Sequence, residues 1–375
     1  MRILADQNMP LVEEFFSEFG EITRFAGREL DPQQLIDTDI LLVRSITKVD
    51  ANLLAHANKL KFVGTATIGT DHVDQTLLKQ KGIAFSSAPG CNATAVAEYV
   101  VSSLLAIAQE DDFSLRDKTV GIIGVGNIGS RLAVKLEALG CKLLLCDPPK
   151  QAAGELSEGV SLDTVIEKAD ILSFHVPLVK EGIHKTKHLL NHGNLAKLKS
   201  NAIVVNSCRG DVIDNSALLN FMQAGGGLSL VLDVWENEPN IEQALLPYTR
   251  IGSVHIAGHS LEGKAGGTDM LYQAVCQQLG KPTTHKMADF LPQPEFMAVH
   301  LGTTFSDANI CQLVHSVYDA RRDYGLLKNG LNSEGFDSLR KNYPGRREFS
   351  TLTVKCSSTA NAKRLSQLGF NVIEE

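Results

Sequence analysis

The chain has 375 residues, of which 43% are apolar and 21% are charged. This length exceeds what one hydrophobic core usually supports, so we expect two or three domains in an ordinary globular protein. The formal net charge of −7 lacks the basic footprint of a nucleic-acid-binding protein, so no nucleic-acid partner is expected.

Cysteine usage and hydropathy narrow the class of protein further. The seven cysteines form an odd set without a Cys-x-x-Cys pair, which argues against a disulfide framework and against a zinc site. We therefore expect reduced thiols in a cytoplasmic protein, and no bound metal. The amino terminus turns polar within residues 1–6, and no apolar run approaches the roughly 20 residues that span a bilayer. Neither export nor a membrane partner is expected.

The first hundred residues alternate short apolar runs with amphipathic stretches. Residues 3–5, 40–43 and 60–63 are apolar runs typical of buried strands, and residues 11–19 form an amphipathic stretch typical of a helix. Such alternation predicts a small α/β domain with a parallel sheet.

A second α/β series follows a helix that links the two domains. Residues 95–106 are apolar nearly all round, as expected for a buried helix. The elements predicted next are a strand at 120–124, a helix at 128–139, and strands at 142–146, 171–173, 202–205 and 228–232. Five strands with crossovers predict a doubly wound nucleotide-binding domain.

The composition shifts again near residues 281–295, where three prolines flank a short apolar piece and predict a linker. Beyond it, we predict a strand at 352–354, a helix at 362–368 and a strand at 370–373. This segment is expected to form a third, smaller domain.

A glycine-rich turn marks a cofactor site. Residues 124–129 read Gly-Val-Gly-Asn-Ile-Gly directly after a predicted strand and at the start of a helix, where backbone N–H groups and the helix dipole can bind a pyrophosphate. Asp147 ends the next strand, where an acid binds ribose hydroxyls. Its charge would repel a 2′-phosphate, so NAD is favoured over NADP, although Lys150 is a nearby base that weakens this argument. Asp233 either contacts the nicotinamide carboxamide or caps a turn.

Three residues from separate segments form a candidate catalytic set. Arg209 follows a predicted strand at the carboxyl edge of the sheet, and its guanidinium can hold a carboxylate by a two-point fork. His255 lies between Val254 and Ile256, so it needs a polar partner, which Glu238 can supply. The set suits oxidation of a hydroxyl beside a carboxylate, with His255 as the base and Glu238 orienting its ring.

The order of these features resembles that of the D-isomer-specific 2-hydroxyacid dehydrogenase family over roughly residues 1–280. The features are the glycine motif, Asp147, Arg209-Gly210, Asp233 with Glu238, and residues 255–258 (His-Ile-Ala-Gly). The resemblance implies a Rossmann-type NAD domain (96–257) inserted in a smaller, flavodoxin-like α/β substrate domain (1–95 and 258–285), with an α/β (α+β) dimerisation domain at 286–375. It places the following residues at the cofactor: Gly124, Gly126, Asn127, Ile128, Gly129, Asp147, Val176, Ser207, Cys208, Arg209, Asp233 and Gly258. It places Ser45, Thr67 and His259 at the substrate. For Val176 and His259 the resemblance is the only argument.

Further stretches resemble one branch of this family across nearly the whole chain. They are residues 43–49 (Val-Arg-Ser-Ile-Thr-Lys-Val), 62–74, 88–92 and 341–343. That branch acts on a 2-hydroxy acid of four carbons that carries a 4-phosphate, so the expected partner is a phosphorylated small molecule. A phosphate requires cationic donors, for which Arg44 is a candidate. Arg346, with its neighbour Arg347, is another if a homodimer forms through residues 286–375, although such a pair is equally typical of a solvated surface charge pair.

Two alternatives remain open. Another D-2-hydroxyacid dehydrogenase, of phosphoglycerate or glyoxylate type, would share the catalytic set. An NAD-sensing corepressor would share the fold and even the active-site residues, but the negative net charge and the lack of a disordered interaction tail argue against it.

Overall fold

The computed structural model describes residues 1–28, 30–302 and 305–375, which divide into two compact units. Unit 1 consists of residues Met1–Asn92 and Ser260–Gln293, and unit 2 of Ala93–His259 and Pro294–Glu375. The first segment of unit 2 is thus inserted in the chain between the two segments of unit 1. The sequence predicts residues 286–375 as a domain of their own, whereas nearly all of this segment belongs to unit 2.

The regular elements are numbered in chain order. The strands are β1 (Arg2–Asp6), β2 (Glu21–Phe25), β3 (Ile40–Val43), β4 (Phe62–Thr65), β5 (Ala84–Ser87), β6 (Thr119–Ile123), β7 (Lys142–Cys146), β8 (Ile171–Phe174), β9 (Ile203–Asn206), β10 (Ser229–Leu232), β11 (Thr249–Gly252), β12 (Ala298–His300), β13 (Thr353–Cys356) and β14 (Asn371–Glu374). The helices are α1 (Val12–Phe16), α2 (Gln75–Gln80), α3 (Ala93–Glu110), α4 (Asn127–Ala138), α5 (Pro148–Ala152), α6 (Leu162–Lys168), α7 (Asn215–Gln223), α8 (Leu261–Leu279), α9 (Asp307–Val317), α10 (Ala320–Glu334), α11 (Phe336–Lys341) and α12 (Thr359–Leu368). Among the helices described, none has the length and apolar character needed to cross a bilayer.

Unit 1 is built on a parallel sheet. In its described residues the strand order is β2-β1-β3-β4-β5, which is the flavodoxin-like arrangement. All four residues of β3 are buried, because crossovers cover both faces of a parallel sheet. On one face, Leu271 and Tyr272 of α8 pack with Phe15 and Phe16 in a single apolar cluster. The return of the chain through α8 therefore completes the core of this unit.

Unit 2 contains the larger parallel sheet. Its order among described strands is β11-β10-β9-β8-β6-β7, and the strand order reverses between β6 and β8, where doubly wound sheets bind ligands. The prediction of five strands is one short, because β11 is short and carries few apolar residues. Beyond β7, Val160 N–H donates to the carbonyl of Leu145 at 2.8 Å, so this short segment continues the sheet without forming a regular strand.

Residues 294–375 add a three-stranded parallel sheet, β12-β13-β14, in the described part of the chain. Their attachment to the rest of unit 2 includes a buried polar contact, in which Lys135 Nζ of α4 lies 3.3 Å from Glu98 Oε1 of α3 and also donates to the carbonyl of Leu368. Glu98 Oε2 accepts the backbone N–H of Phe349 at 3.0 Å. Burial raises the pKa of Glu98 to about 8, and the Lys135 ammonium offsets only part of that rise. Residues 294–375 are thus joined to the rest of unit 2 by buried polar contacts.

Candidate active site

The carboxyl ends of the strands of unit 2 form one row, because their last residues pair directly with one another. Across the sheet this row consists of Cys146, Ile123, Phe174, Asn206, Leu232 and Gly252. The residues that follow each strand therefore start from one edge of the sheet, and that edge is where ligands of doubly wound folds bind. They include Gly124, Asp147, Val176, Ser207, Asp233 and His255, each of which the sequence singles out.

The glycine turn after β6 has the shape of a phosphate site. Gly124 has a φ of +93°, and a Cβ there would lie 2.5 Å from the carbonyl oxygen of His175, so only glycine fits. Gly126 precedes α4 and has no side chain to cap it. The first N–H groups of α4, at Asn127, Ile128 and Gly129, thus remain available to a pyrophosphate. The turn fits a dinucleotide cofactor.

Asp147 braces this turn from the end of the adjacent strand. Its Oδ2 accepts the N–H of Val125 at 2.9 Å, and its Oδ1 accepts the N–H of Lys150 at 3.2 Å. Lys150 Nζ donates to the carbonyl of Val125 at 2.8 Å. Each carboxylate oxygen has a second lone pair, so the half-buried Asp147 retains acceptor capacity for ribose hydroxyls. The contact of Lys150 with the turn uses one of its three donors.

The segment after β9 presents a buried hydroxyl to the same edge. Ser207 Oγ is buried and has no hydrogen-bond partner among residues 1–28, 30–302 and 305–375. Such an orphaned donor fits a site that a polar ligand completes. Beside it, burial raises the pKa of Cys208 to about 11, so its thiol stays protonated and is no nucleophile.

Arg209 is exposed at the end of this segment. Asn206 holds the turn in shape, since its Nδ2 donates to the carbonyl of Arg209 at 3.0 Å and its Oδ1 accepts the N–H of Cys208 at 3.2 Å. Arg209 Nη1 donates to the carbonyl of Cys208 at 2.7 Å. A guanidinium has five N–H donors, so this one bond orients the side chain and leaves donors for a carboxylate.

His255 and Glu238 form a hydrogen-bonded pair. His255 Nδ1 lies 2.8 Å from Glu238 Oε2, and Glu238 Oε1 accepts the N–H of Trp235 at 2.9 Å. Burial favours a raised pKa for Glu238, but the hydrogen bond and charge of His255, with smaller help from Trp235 N–H and Arg340, lower its pKa overall. Glu238 is therefore a carboxylate that orients the imidazole through Nδ1–H, and Nε2 is left to take a proton.

Asp233 organises the backbone around His255. Its Oδ1 accepts the hydroxyl of Ser253 at 2.7 Å and the N–H groups of Ile256 and Ala257 at 2.7 and 3.0 Å. Oδ1 thus makes the contacts expected from the alternative in which Asp233 caps a turn. Nothing in the described residues bonds to Oδ2, which leaves it for a cofactor amide.

Three further predicted residues, of which Val176 and His259 rest on the resemblance alone, lie near these groups. Val176 is half-buried beside the glycine turn, since a Cβ on Gly124 would lie 2.9 Å from its Cγ1. Gly258 follows the segment that Asp233 holds. His259 N–H donates to the carbonyl of Ile256 at 2.7 Å, and its ring centroid lies 6.2 Å from that of Tyr343.

In unit 1, the predicted substrate residues also follow paired strand ends. Val43 pairs with Thr65, so Arg44 and Ser45 leave the sheet at the same edge as Thr67. Thr67 Oγ1 is fixed by Thr65 Oγ1 at 2.7 Å and by the carbonyl of Gly69 at 3.0 Å. Ser45 is exposed.

Lys264 is a cation at this edge that sequence reasoning does not identify. It lies in the first turns of α8, which approaches the segment after β4 so closely that a Cβ on Gly267 would be 3.0 Å from the carbonyl oxygen of Ala66. Burial, and then the positive charge of Arg44, lower the pKa of Lys264. The glycines on either side of it are the only sequence signal of this close packing.

Arg346 does not lie at an exposed position. Its guanidinium is buried in unit 2, where Nη2 donates to the carbonyls of Ala95 and Ala257 at 2.7 and 2.6 Å and the group stacks on the ring of Tyr318 at 3.8 Å. The sequence-based alternative that Arg346 is a solvated surface charge is therefore wrong, because this arginine is buried and joins residues 294–375 to the rest of unit 2. Its contact with a phosphate stays a prediction.

Two family models match the chain. One, described as D-isomer specific 2-hydroxyacid dehydrogenase, NAD binding domain, matches residues 101–260. The other, described as Domain of unknown function (DUF3410), matches residues 290–369. The glycine turn, the orphaned Ser207 hydroxyl and Asp147 all lie within the NAD-binding match, so the dinucleotide that this edge accommodates is NAD.

The chain is also similar to relatives over nearly their whole length, and in fold to a solved structure. An erythronate-4-phosphate dehydrogenase from Pseudoalteromonas translucida is 58% identical over 99% of this chain and 100% of its own, and one from Escherichia coli K12 is 50% identical over 100% and 99%. The crystal structure of a D-lactate dehydrogenase from Aquifex aeolicus with NAD and lactic acid is similar in fold, with a TM-score of 0.59 and 24% identity over 74% of this chain and 95% of that one.

Proposed function

We propose that the chain oxidises the C2 hydroxyl of 4-phospho-D-erythronate, because it belongs to the erythronate-4-phosphate dehydrogenases within the D-isomer specific 2-hydroxyacid dehydrogenase family. The product is 3-hydroxy-2-oxo-4-phosphooxybutanoate, on the route to pyridoxal phosphate. The observation that carries the chemistry is the pairing of His255 Nδ1 with Glu238 Oε2 at 2.8 Å, on the strand edge that also carries the glycine turn.

His255 is the general base of this proposal. With Nδ1–H donated to Glu238, the lone pair of Nε2 takes the proton of the C2 hydroxyl. The imidazolium that forms is stabilised by the adjacent Glu238 carboxylate, which its own environment keeps ionised. NAD, when bound, accepts the hydride from C2.

Arg209 is the anchor for the substrate carboxylate. The N–H groups that its bond to Cys208 leaves over provide a planar fork that matches a carboxylate, and its charge polarises the adjacent C2–O bond. Ser45, Thr67, His259 and the backbone N–H groups of residues 67–70 are proposed as further substrate donors.

Arg44 and Lys264 are proposed to bind the 4-phosphate. Arg44 is near enough for its charge to lower the pKa of Lys264, and no carboxylate among the described residues offsets the charge of this half-buried lysine. A lysine held at a partly desolvated position beside a second cation favours an anionic ligand, which a phosphate monoester provides.

The proposal is tested by supplying purified protein with NAD and a panel of 2-hydroxy acids while NADH absorbance is recorded. We expect kcat/KM for 4-phospho-D-erythronate to exceed that for 3-phosphoglycerate by at least about 10-fold, as lost contacts in a fitted site predict. Equal values, or faster oxidation of glycolate to glyoxylate, would assign the protein to another 2-hydroxyacid type. Negligible turnover, together with recovery of peptide partners or of DNA-bound partners in a pull-down, would favour an NAD-sensing corepressor.

Substitution of Lys264 by glutamine should affect phosphorylated substrates selectively. We expect KM for 4-phospho-D-erythronate to rise about 10- to 100-fold, the effect of losing a charged hydrogen bond, while slow turnover of D-erythronate, which lacks the phosphate, stays within about 2-fold. Lys79→Gln is a matched control, because Lys79 is exposed on α2 of the same unit. An equal loss with both substrates would remove Lys264 from the phosphate site.

We further propose that the protein acts in the cytoplasm as a homodimer joined through residues 286–375. Phe296 and Met297, each 63% exposed, precede the edge strand β12 and support an apolar contact there. In the described residues the cysteines form no disulfide bond, which suits a reducing compartment.

A further inference from the structure

The backbone of the segment that carries His255 is held in an unusual conformation. His255 has a φ of +59°, in the left-handed region that residues with a side chain rarely adopt. Such a conformation persists only where its surroundings over-determine it. The contacts that hold residues 255–257 therefore decide where the imidazole points.

Asp233 supplies the contacts to the N–H groups of this segment. His255 N–H donates to the carbonyl of Asp233 at 2.7 Å, while the N–H groups of Ile256 and Ala257 donate to Asp233 Oδ1. These bonds come from within the NAD-binding part of the chain and hold one side of the peptide groups.

The carbonyl groups are held from residues 294–375 instead. Arg340, at the end of α11, donates from Nε to the carbonyl of His255 at 3.2 Å, and Arg346 Nη2 donates to the carbonyl of Ala257. Arg346 is buried and also bonds to Ala95, so its removal would disturb packing. Arg340 is half-buried, which makes it the side chain whose role can be isolated.

Arg340 is also close to the partner of the imidazole. Its positive charge contributes to the lowered pKa of Glu238, after the larger contributions of burial, of His255 and of the Trp235 N–H. One guanidinium thus bonds to the main chain of His255 and favours the ionised form of the carboxylate that orients the His255 ring.

We propose that Arg340 is a positioning residue for the reaction: by bonding to the His255 carbonyl, the carboxyl-terminal segment keeps the imidazole aligned with Glu238. This rests on the proposed function only in that His255 is the base. It assigns to residues 294–375 a part in catalysis within one chain, separate from any part in dimerisation. Arg340 does not touch the reacting atoms, so its effect is on kcat.

The test compares Arg340→Met, Arg340→Lys and a control, Arg322→Met, in the full-length protein. Arg322 is an exposed arginine of α10 in the same segment. For Arg340→Met we expect kcat with 4-phospho-D-erythronate to fall about 10-fold, as loss of one charged hydrogen bond predicts, with KM unchanged within about 2-fold. Arg340→Lys keeps the charge and a donor, and should recover kcat to within about 3-fold of wild type.

A second readout does not need turnover. Hydrogen–deuterium exchange is measured in the protein without substrate. The peptide containing residues 255–257 should exchange at least about 5-fold faster in Arg340→Met than in wild type, because local opening is easier. Its exchange rate should be unchanged in Arg322→Met. The sole tryptophan, Trp235, donates its indole N–H to the carbonyl of Ser253 at 2.9 Å, so unchanged emission shows that the surrounding fold is intact.

The outcomes separate this inference from the proposed function. A kcat of Arg340→Met equal to that of wild type would overturn the positioning role of Arg340, whether or not exchange rises. An equal loss of kcat in Arg322→Met would overturn it as well. Failure of the wild-type protein to oxidise 4-phospho-D-erythronate would instead overturn the substrate assignment, and exchange at residues 255–257 would still decide whether Arg340 holds the segment. Unchanged exchange in Arg340→Met would show that it does not.

Discussion

Replacement of His255 by alanine is expected to lower kcat by about 10²- to 10⁴-fold, the usual contribution of a general base. The physical reason is that the C2 hydroxyl proton then has no acceptor at the position of Nε2. Glu238 would also lose its hydrogen bond to His255, the largest influence that lowers its pKa, so burial would favour its protonated form. Steady-state NADH production measures the change.

Two controls accompany this variant. His192→Ala removes an exposed histidine of the same unit and should leave kcat unchanged. Binding of NADH, followed by quenching of Trp235 emission, should be retained in His255→Ala, because the glycine turn and Asp147 are untouched. A kcat within 10-fold of wild type would mean that another group takes the proton.

Replacement of Arg209 is expected to have the second largest effect. Arg209→Met should lower kcat/KM for 4-phospho-D-erythronate by about 10³-fold, because the substrate carboxylate then enters the site without its counter-charge. Arg209→Lys keeps the charge but loses the planar fork, so we expect a loss of about 10²-fold. Initial rates across a range of substrate concentrations measure both.

The Arg209 variants have an internal comparison. Arg322→Lys makes the same change at an exposed arginine and should be silent. Kinetics of Arg209→Lys indistinguishable from wild type would contradict the two-point anchor and leave only a charge effect. A loss confined to the KM for NAD would instead place Arg209 at the cofactor alone.

Much of the fold follows from apolar runs, within limits that particular strands illustrate. The predicted strand at 142–146 coincides with β7, since Leu143, Leu144 and Leu145 form a run bounded by polar residues. The prediction at 60–63 begins two residues before β4, because Leu60 is apolar but precedes the pairing that starts at Phe62. Strand bounds depend on hydrogen bonding to a neighbour, which local hydropathy does not report.

The missing strand of unit 2 has a related cause. β11 reads Thr-Arg-Ile-Gly, which has too little apolar character to predict a strand. It is one because β10 offers an open edge, and Leu232 pairs with Gly252. Without β11 in the sheet, the hydropathy pattern does not indicate that His255 starts from the same edge as Arg209, and only the candidate chemistry and the family resemblance group the two residues.

The candidate site divides in the same way between local and distant information. The glycine turn and Asp147 are recognisable from spacing, because a single strand-turn-helix unit positions them. Lys264 lies near Arg44 and Arg340 bonds to the carbonyl of His255, so the surroundings of both come from segments far away in the chain. Arg346 has a charge that suits an exposed position but is buried against Tyr318. A side chain's charge is readable from sequence, but its surroundings are not.

By itself, the amino-acid sequence determined the α/β class and the dinucleotide turn, and it indicated the candidate acid, base and cation, since each depends on residue type and near-neighbour spacing. Only the tertiary structure decided which strand ends form one row, which atoms of His255 and Glu238 are paired, and which arginine is exposed. Those outcomes depend on the register of parallel strands and on burial, both of which arise from contacts between residues that lie far apart in the chain.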